Sequence, residues 1–237
     1  APSPLVQSAL YGVLAQAEAT LGNGVAARAA WAEALSAPHS IQDRPVFELA
    51  IAESLQADGE VERAQEKYLK VWAQFPRSEQ AAVAGRRLDA LADSLETDPR
   101  KPGIAYRRAE NLYNANRNEL ALQEFEAILA IEEISGRLRK RAGRQRANVL
   151  FRMRRYPEAI VAYQGLPSNS QIKISIARAR ARSGDVNGAV TELLQLDKST
   201  PKGTPQRAGY LAALLLDDES GRELEADAHR ARAPDAP

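Results

Sequence analysis

Cysteine is absent from the 237 residues, which excludes a disulfide framework, a cysteine nucleophile and a thiolate zinc site. The two histidines, His39 and His229, stand too far apart in sequence to suggest a histidine-based metal site. Each reads as an ordinary surface residue, so neither a metal nor a cofactor is expected. Aromatic residues make up only 5% of the chain, too few for a β-sandwich core. No run of about 18 apolar residues occurs, so no helix is expected to span a membrane. A glycine-rich phosphate loop, a zinc-protease helix motif and a Ser/His/Asp set in recognisable context are also missing. The acidic run Asp217-Asp218-Glu219 closes the apolar stretch Leu211–Leu216 and reads as a solvated terminus, not an acid/base pair. No catalytic residues are identified.

What the chain has instead is alanine, at 44 of 237 positions, the composition of closely packed helices. The alanines recur with a fixed spacing. Five times an Ala is followed twelve residues later by another Ala, then by a large apolar residue at +4 and an apolar residue at +7. The sets are Ala15, Ala27, Trp31, Ala34; Ala52, Ala64, Tyr68, Val71; Ala109, Ala121, Phe125, Ile128; Ala147, Ala159, Tyr163, Leu166; and Ala177, Ala189, Leu193, Leu196. Seven places after the first Ala stands Gly22, Gly59, Asn116 or Gly184, with Arg154 the exception.

This spacing predicts two antiparallel helices joined by a short turn. Gly or Asn accepts the left-handed backbone that ends the first helix, and the small alanines let the two axes approach where they cross. The +4 and +7 residues share one face of the second helix. Pro38, Pro76, Pro167 and Pro201 follow second helices and stop them. Each hairpin leaves apolar surface for the next to cover, so the expected fold is all-α, a right-handed α-solenoid. An extra helix is predicted from Ser78 to Leu95, with Ala81, Ala84, Leu88, Leu91 and Leu95 on one face and Ser78 as its cap.

These residues resemble the tetratricopeptide (TPR) repeat. Arg154-Arg155-Tyr156-Pro157-Glu158-Ala159 through Tyr163 carries the likeness most clearly, together with Gly184 through Pro201. The family's first-helix Trp and Gly are replaced, Gly by Ala each time. The intervals between second alanines are irregular, at 37, 57, 38 and 30 residues. The resemblance implies about five TPR-like hairpins and a degenerate sixth from Thr204. The expected organisation is one lobe over 4–95, a linker at 96–102 where Pro99 and Pro102 discourage helix, a second lobe over 103–232, and a disordered or linking tail at 233–237.

The net charge of +1 conceals an asymmetry. Residues 134–183 hold thirteen Lys/Arg and one acid, Glu158, a local +12 against −11 elsewhere. Arg137, Arg141, Arg144 and Arg152 recur at helical steps, with Asn148 between, and Arg178 and Arg182 are one turn apart. In a TPR register, Arg141, Arg144, Asn148, Arg152, Arg178 and Arg182 line the inner face, with Tyr106, Glu110 and Tyr113 of the preceding repeat beside them. That face commonly grips an extended peptide in the family, and Arg144 with Asn148 is similar to its carboxylate-gripping pair. Two readings compete: solvated helix faces, or an anion site for a carboxylate-bearing protein or peptide or an anionic glycan. Nucleic acid ranks lowest because few aromatics are available for stacking.

A narrower similarity lies in Phe75-Pro76-Arg77-Ser78 with Ala81, Ala84 and Arg87-Leu88, in Arg107-Arg108-Ala109-Glu110-Asn111-Leu112-Tyr113, and in Ala177 through Asp185. These segments are similar to bacterial envelope TPR proteins and to the helical arms of soluble lytic transglycosylases. That similarity implies a periplasmic scaffold at peptidoglycan, or an arm of a peptidoglycan-cleaving enzyme. Glu53-Ser54 and Glu219-Ser220 lack the sequence that follows that family's catalytic Glu-Ser, so neither is carried over as catalytic. The opening Ala1-Pro2-Ser3-Pro4 has the form of a mature chain after leader removal, although a chosen chain boundary gives the same opening. The periplasm is accordingly expected over the cytoplasm.

Overall fold

A computed structural model describes residues 3–36, 43–95 and 98–198. Within them the chain forms eleven helices and no strand: α1 (Pro4–Thr20), α2 (Gly24–Ser36), α3 (Asp43–Ala57), α4 (Val61–Gln74), α5 (Glu79–Leu95), α6 (Pro102–Asn114), α7 (Asn118–Ala130), α8 (Gly136–Arg152), α9 (Tyr156–Gln164), α10 (Ser170–Arg182) and α11 (Val186–Lys198). None of the described helices is long and apolar enough to cross a membrane. Two compact units divide the chain between Leu120 and Ala121, within α7. In the first, α1 packs on α2, α3 on α4, and both α5 and α6 on α4. In the second, α8 packs on α9, α9 on α10, and α10 on α11.

All ten paired alanines have no exposed surface at all. Where α1 packs on α2, α3 on α4, α8 on α9 and α10 on α11, a methyl group lets the helix backbones approach closely, and a bulkier side chain would strain the crossing. The residues four positions on (Trp31, Tyr68, Phe125, Tyr163 and Leu193) are at most 4% exposed and fill the adjoining space. Leu166 is the half-buried member of the +7 set.

Five first helices end in the same way. Gly22, Gly59, Asn116, Arg154 and Gly184 all have positive φ, at 80°, 78°, 58°, 60° and 103°. The amide of the next residue then donates to the carbonyl five positions back, at 2.9–3.0 Å, as in Asn23 to Glu18 and Arg155 to Leu150. This bond satisfies a carbonyl the helix end leaves open. Arg154 is the exception by residue type, yet its backbone makes the same turn.

The extra helix is α5. The Ser78 hydroxyl accepts from the Ala81 amide at 3.1 Å, and Ala81, Ala84, Leu88 and Leu91 are buried. The Leu95 side chain lies outside the described residues. Pro102 does not discourage helix as expected, but opens α6. A proline suits the first helical turn, where its missing N–H has no acceptor to lose. Residues 98–102 fall within the first unit, whose α6 packs on α4. The Arg108 guanidinium lies 4.6 Å from the Trp72 ring centroid and donates to the Trp72 carbonyl at 2.7 Å, and Asn111 donates to the Ala73 carbonyl at 2.8 Å. Pro38, His39, Pro201, the sixth unit, His229 and the tail lie outside the described residues.

One buried charge organises the α3–α4 hairpin. Glu48 is 4% exposed and accepts from Lys67 at 3.2 Å and from Lys70. Burial by itself raises the Glu48 carboxyl, but the Lys70 hydrogen bond and both ammonium charges hold it below its ordinary value. Tyr68 is fully buried and donates to Gln56 Oε1 at 2.7 Å. Burial, with Glu53 near, pushes its phenol up to about 12.

Candidate functional site: the arginine face of α8 and α10

Ser135 caps α8 by accepting from the Leu138 amide at 3.3 Å. Ala142, Ala147, Val149 and Leu150 form the buried side of the helix. The seven Lys/Arg of α8 then divide by direction. Arg139 and Arg146 point one way and are bonded inside the unit. The Arg139 guanidinium donates to the carbonyls of Leu129, Ile131 and Glu132 at 2.8–3.0 Å, capping the end of α7. Arg146 Nε donates to Glu126 Oε1 at 3.1 Å.

Arg137, Arg141, Arg144 and Arg152 are all solvent-exposed and fall, at 100° per residue, within one narrow arc of the helix. Neither Arg137 nor Arg144 has an acidic partner among the described residues. Asn148 lies on the same arc, but both ends of its amide are engaged. Its Nδ2 donates to Gln145 Oε1 at 2.8 Å, and its Oδ1 accepts from the buried Tyr163 hydroxyl at 2.7 Å. Asn148 therefore ties α8 to α9.

The same division appears on α10, which Asn169 caps by accepting from the Ile172 amide at 3.0 Å. Arg180 donates to Glu192 of α11 at 2.7 Å. Arg178 and Arg182 are exposed on another side. The Arg178 guanidinium stands 5.6 Å from the Phe151 ring centroid, and Phe151 meets Tyr156 edge-on at 5.4 Å and 64°. A planar guanidinium over a ring is held by cation–π attraction, which places the Arg178 charge beside the C-terminal turn of α8. Sequence reading misses Phe151, although its position, one residue before Arg152, puts it next to the arginine arc.

The ion pairs seen in this segment offset part of its charge. The single acid of the segment, Glu158, is taken by Arg155 at 2.7 Å, and that hydrogen bond holds its carboxyl below the ordinary value. Glu126 and Glu192, from outside the segment, are used by Arg146 and Arg180. These pairs engage three of the thirteen cations.

Tyr106 and Tyr113 lie on α6, in the first unit. Tyr106 is 4% exposed and donates to Glu110 Oε1 at 2.7 Å. It is a buried residue of α6, with almost no surface exposed, where the register had set it on the inner face. Tyr113 is half-buried. Glu53 pairs with Arg87 at 3.6 Å, and Ser54 accepts from Arg28 at 2.9 Å, so both members of that Glu-Ser pair serve ordinary structural contacts. An open cleft of about 1230 Å³ in the first unit is bounded by Phe75, Pro76, Arg77, Asn114 and Arg117.

No family model matches the chain, and no curated protein matches it. Among solved structures, kinesin-light-chain-type, nearly identical TPR-like repeats from Podosopora anserina align over 82% of this chain and 94% of that one, at 17% identity and a TM-score of 0.50. PilF of Pseudomonas aeruginosa aligns over 95% and 90%, at 16% identity and a TM-score of 0.42, too low to support an argument. Identity at this level speaks to fold alone. Ten fully buried alanines at a twelve-residue spacing, five identical helix-ending turns and this likeness together give the chain the fold of TPR-like helical repeats.

Proposed function

We propose that this chain is a non-catalytic protein-interaction scaffold that takes an acidic or carboxylate-bearing segment of a partner along the exposed arginines of α8 and α10. The observation that carries the proposal is the division of the cations. Arg139, Arg146 and Arg180 are bonded to neighbouring helices, while Arg144 and Arg182 face solvent with no acid set against them among the described residues. Like charges one helical turn apart repel, so this row destabilises the unpartnered chain slightly and favours an anion laid along it. Arginine is suited to that task, because its planar fork binds carboxylate through two parallel hydrogen bonds. The periplasmic setting and a role at peptidoglycan belong to the same proposal and rest on the envelope-type motifs at Phe75–Leu88 and Arg107–Tyr113. The runner-up, an arm of a peptidoglycan-cleaving enzyme, rests on those motifs alone.

Fluorescence anisotropy with a labelled glutamate-rich peptide ending in a free carboxylate tests the proposal. A dry charge-assisted contact contributes roughly 1.5–3 kcal/mol, and exposed positions stand at the lower end. The double variant Arg144→Glu, Arg178→Glu is then expected to bind at least about tenfold more weakly, with an unchanged circular dichroism spectrum. Equal affinity of the two proteins sinks the proposal. A labelled single-stranded oligonucleotide in place of the peptide, if bound more tightly, assigns the face to nucleic acid.

A further inference from the structure

Eleven large apolar residues are exposed among the described residues, and seven of them lie within the first 25 positions. They concentrate on α1. Ser8 and Ala15 turn inward, where Ser8 Oγ donates to the Ala34 carbonyl of α2 at 2.9 Å. On the opposite side Val6, Leu10, Val13, Ala17 and Leu21 follow one another at steps of 4, 3, 4 and 4 residues. The first three steps are the spacing of a seam between two helices. Val6 is 48% exposed, Leu10 57%, Val13 70% and Leu21 73%, with Leu14 (47%) beside the stripe and Val25 (73%) where α2 begins. A stripe of this kind on a soluble surface normally marks an interface.

We infer that the outer face of α1 pairs with the same face of a second copy of this chain about a two-fold axis. Charge argues for a second copy. α1 contains no Lys or Arg and a single acid, Glu18, which accepts from Asn23 at 2.8 Å in the turn that follows. Partners of different sequence are usually selected by complementary charge at the rim. A two-fold contact sets each patch against itself, so it favours a seam with no charge to repel its own image. Area argues the same way. Val6, Leu10, Val13, Leu14, Leu21 and Val25 present on the order of 600 Å² per copy, so a pair buries about 1,200 Å², the lower end of the range for a specific interface. Val13 and Leu14 sit at the middle of the stripe, so in an antiparallel pairing they lie nearest the axis.

Sedimentation equilibrium on the full chain, from about 1 to 200 μM, reads the association directly. The expected mass rises toward twice 25.8 kDa. Val13→Lys and Val13→Glu are each expected to remain at the single-chain mass, and an equimolar mixture of the two to recover the double mass. Val13 is exposed, so both variants should keep the wild-type circular dichroism and unfolding midpoint. A second measurement is independent of charge. The chain has no cysteine, so Val13→Cys introduces a lone thiol that mild oxidation should convert to a covalent dimer, while Val161→Cys, at a position 68% exposed on α9, should not cross-link. A wild-type protein that stays at 25.8 kDa throughout overturns the inference. So does a dimer that both Val13 charge variants leave intact, or cross-linking that is equal at the two cysteine positions.

Discussion

Arg154 holds the same left-handed backbone as Gly184, at φ 60° and 103°, each ending the first helix of its hairpin. For an L-residue with a Cβ this conformation costs about 1–2 kcal/mol, and for glycine almost nothing. Arg154→Gly is therefore expected to raise stability by about 0.5–1 kcal/mol once the extra freedom of glycine in the unfolded chain is counted. The mirror change, Gly184→Ala, should lower it by about 1 kcal/mol. Urea unfolding of the three proteins checks both directions, and an Arg154→Gly variant less stable than wild type contradicts the strain.

The alanine crossings make a second prediction. Ala177 has no exposed surface, so Ala177→Leu forces three extra carbons between α10 and its neighbours. Such overpacking costs about 1–3 kcal/mol. The same change at the exposed Ala29 of α2 should stay within about 0.5 kcal/mol of wild type. Thermal midpoints of the two variants compare a crossing with a surface position at identical chemistry.

Glu48 supplies a pH dependence. Its carboxyl is held below the ordinary 4.5 in the folded chain by Lys70 and Lys67, against the opposing effect of burial. A depressed carboxyl contributes stability that is fully present above the unfolded value and is lost as pH falls through the folded one. Wild-type stability should thus decline below about pH 4.5 more steeply than that of Glu48→Gln. Parallel acid limbs for the two proteins exclude the Glu48 contribution.

Tyr68 acts at the other end of the scale. Its phenol is pushed up to about 12 by burial and by Glu53, so the neutral form is favoured in the folded chain. A raised pKa contributes stability that is present below the unfolded value, about 10, and is lost as pH rises toward about 12. Stability in that window should fall faster for wild type than for Tyr68→Phe. Urea midpoints at pH 9, 10 and 11 measure the difference.

The hairpins are legible in the sequence because their signal is local. A twelve-residue spacing between two alanines depends only on helix geometry and turn length, so Ala109, Ala147 and their partners can be paired from the spacing by itself. The extra helix is legible through Ser78 and its apolar stripe. The turn at Arg154 is not, since nothing about an arginine announces a positive φ. There the five-residue-back hydrogen bond and the buried flanks of α8 and α9 impose the conformation on an unsuitable residue. The burial of Tyr106 is hidden for a related reason. A helical register shows which residues share a face, but not whether another helix covers that face.

For the basic segment, sequence alone determined that +12 of charge is gathered into about fifty residues and that its arginines recur at helical intervals. It could not determine which of them are spent. Arg139 and Arg146 are occupied because the end of α7 and Glu126 stand opposite them, and Arg180 because Glu192 does. Arg144 and Arg182 are open because nothing described stands opposite them. The periodicity of a helix is a property of its own backbone, whereas the partner of a long flexible cation is whatever acceptor a neighbouring helix brings within reach. Tertiary packing alone decides that.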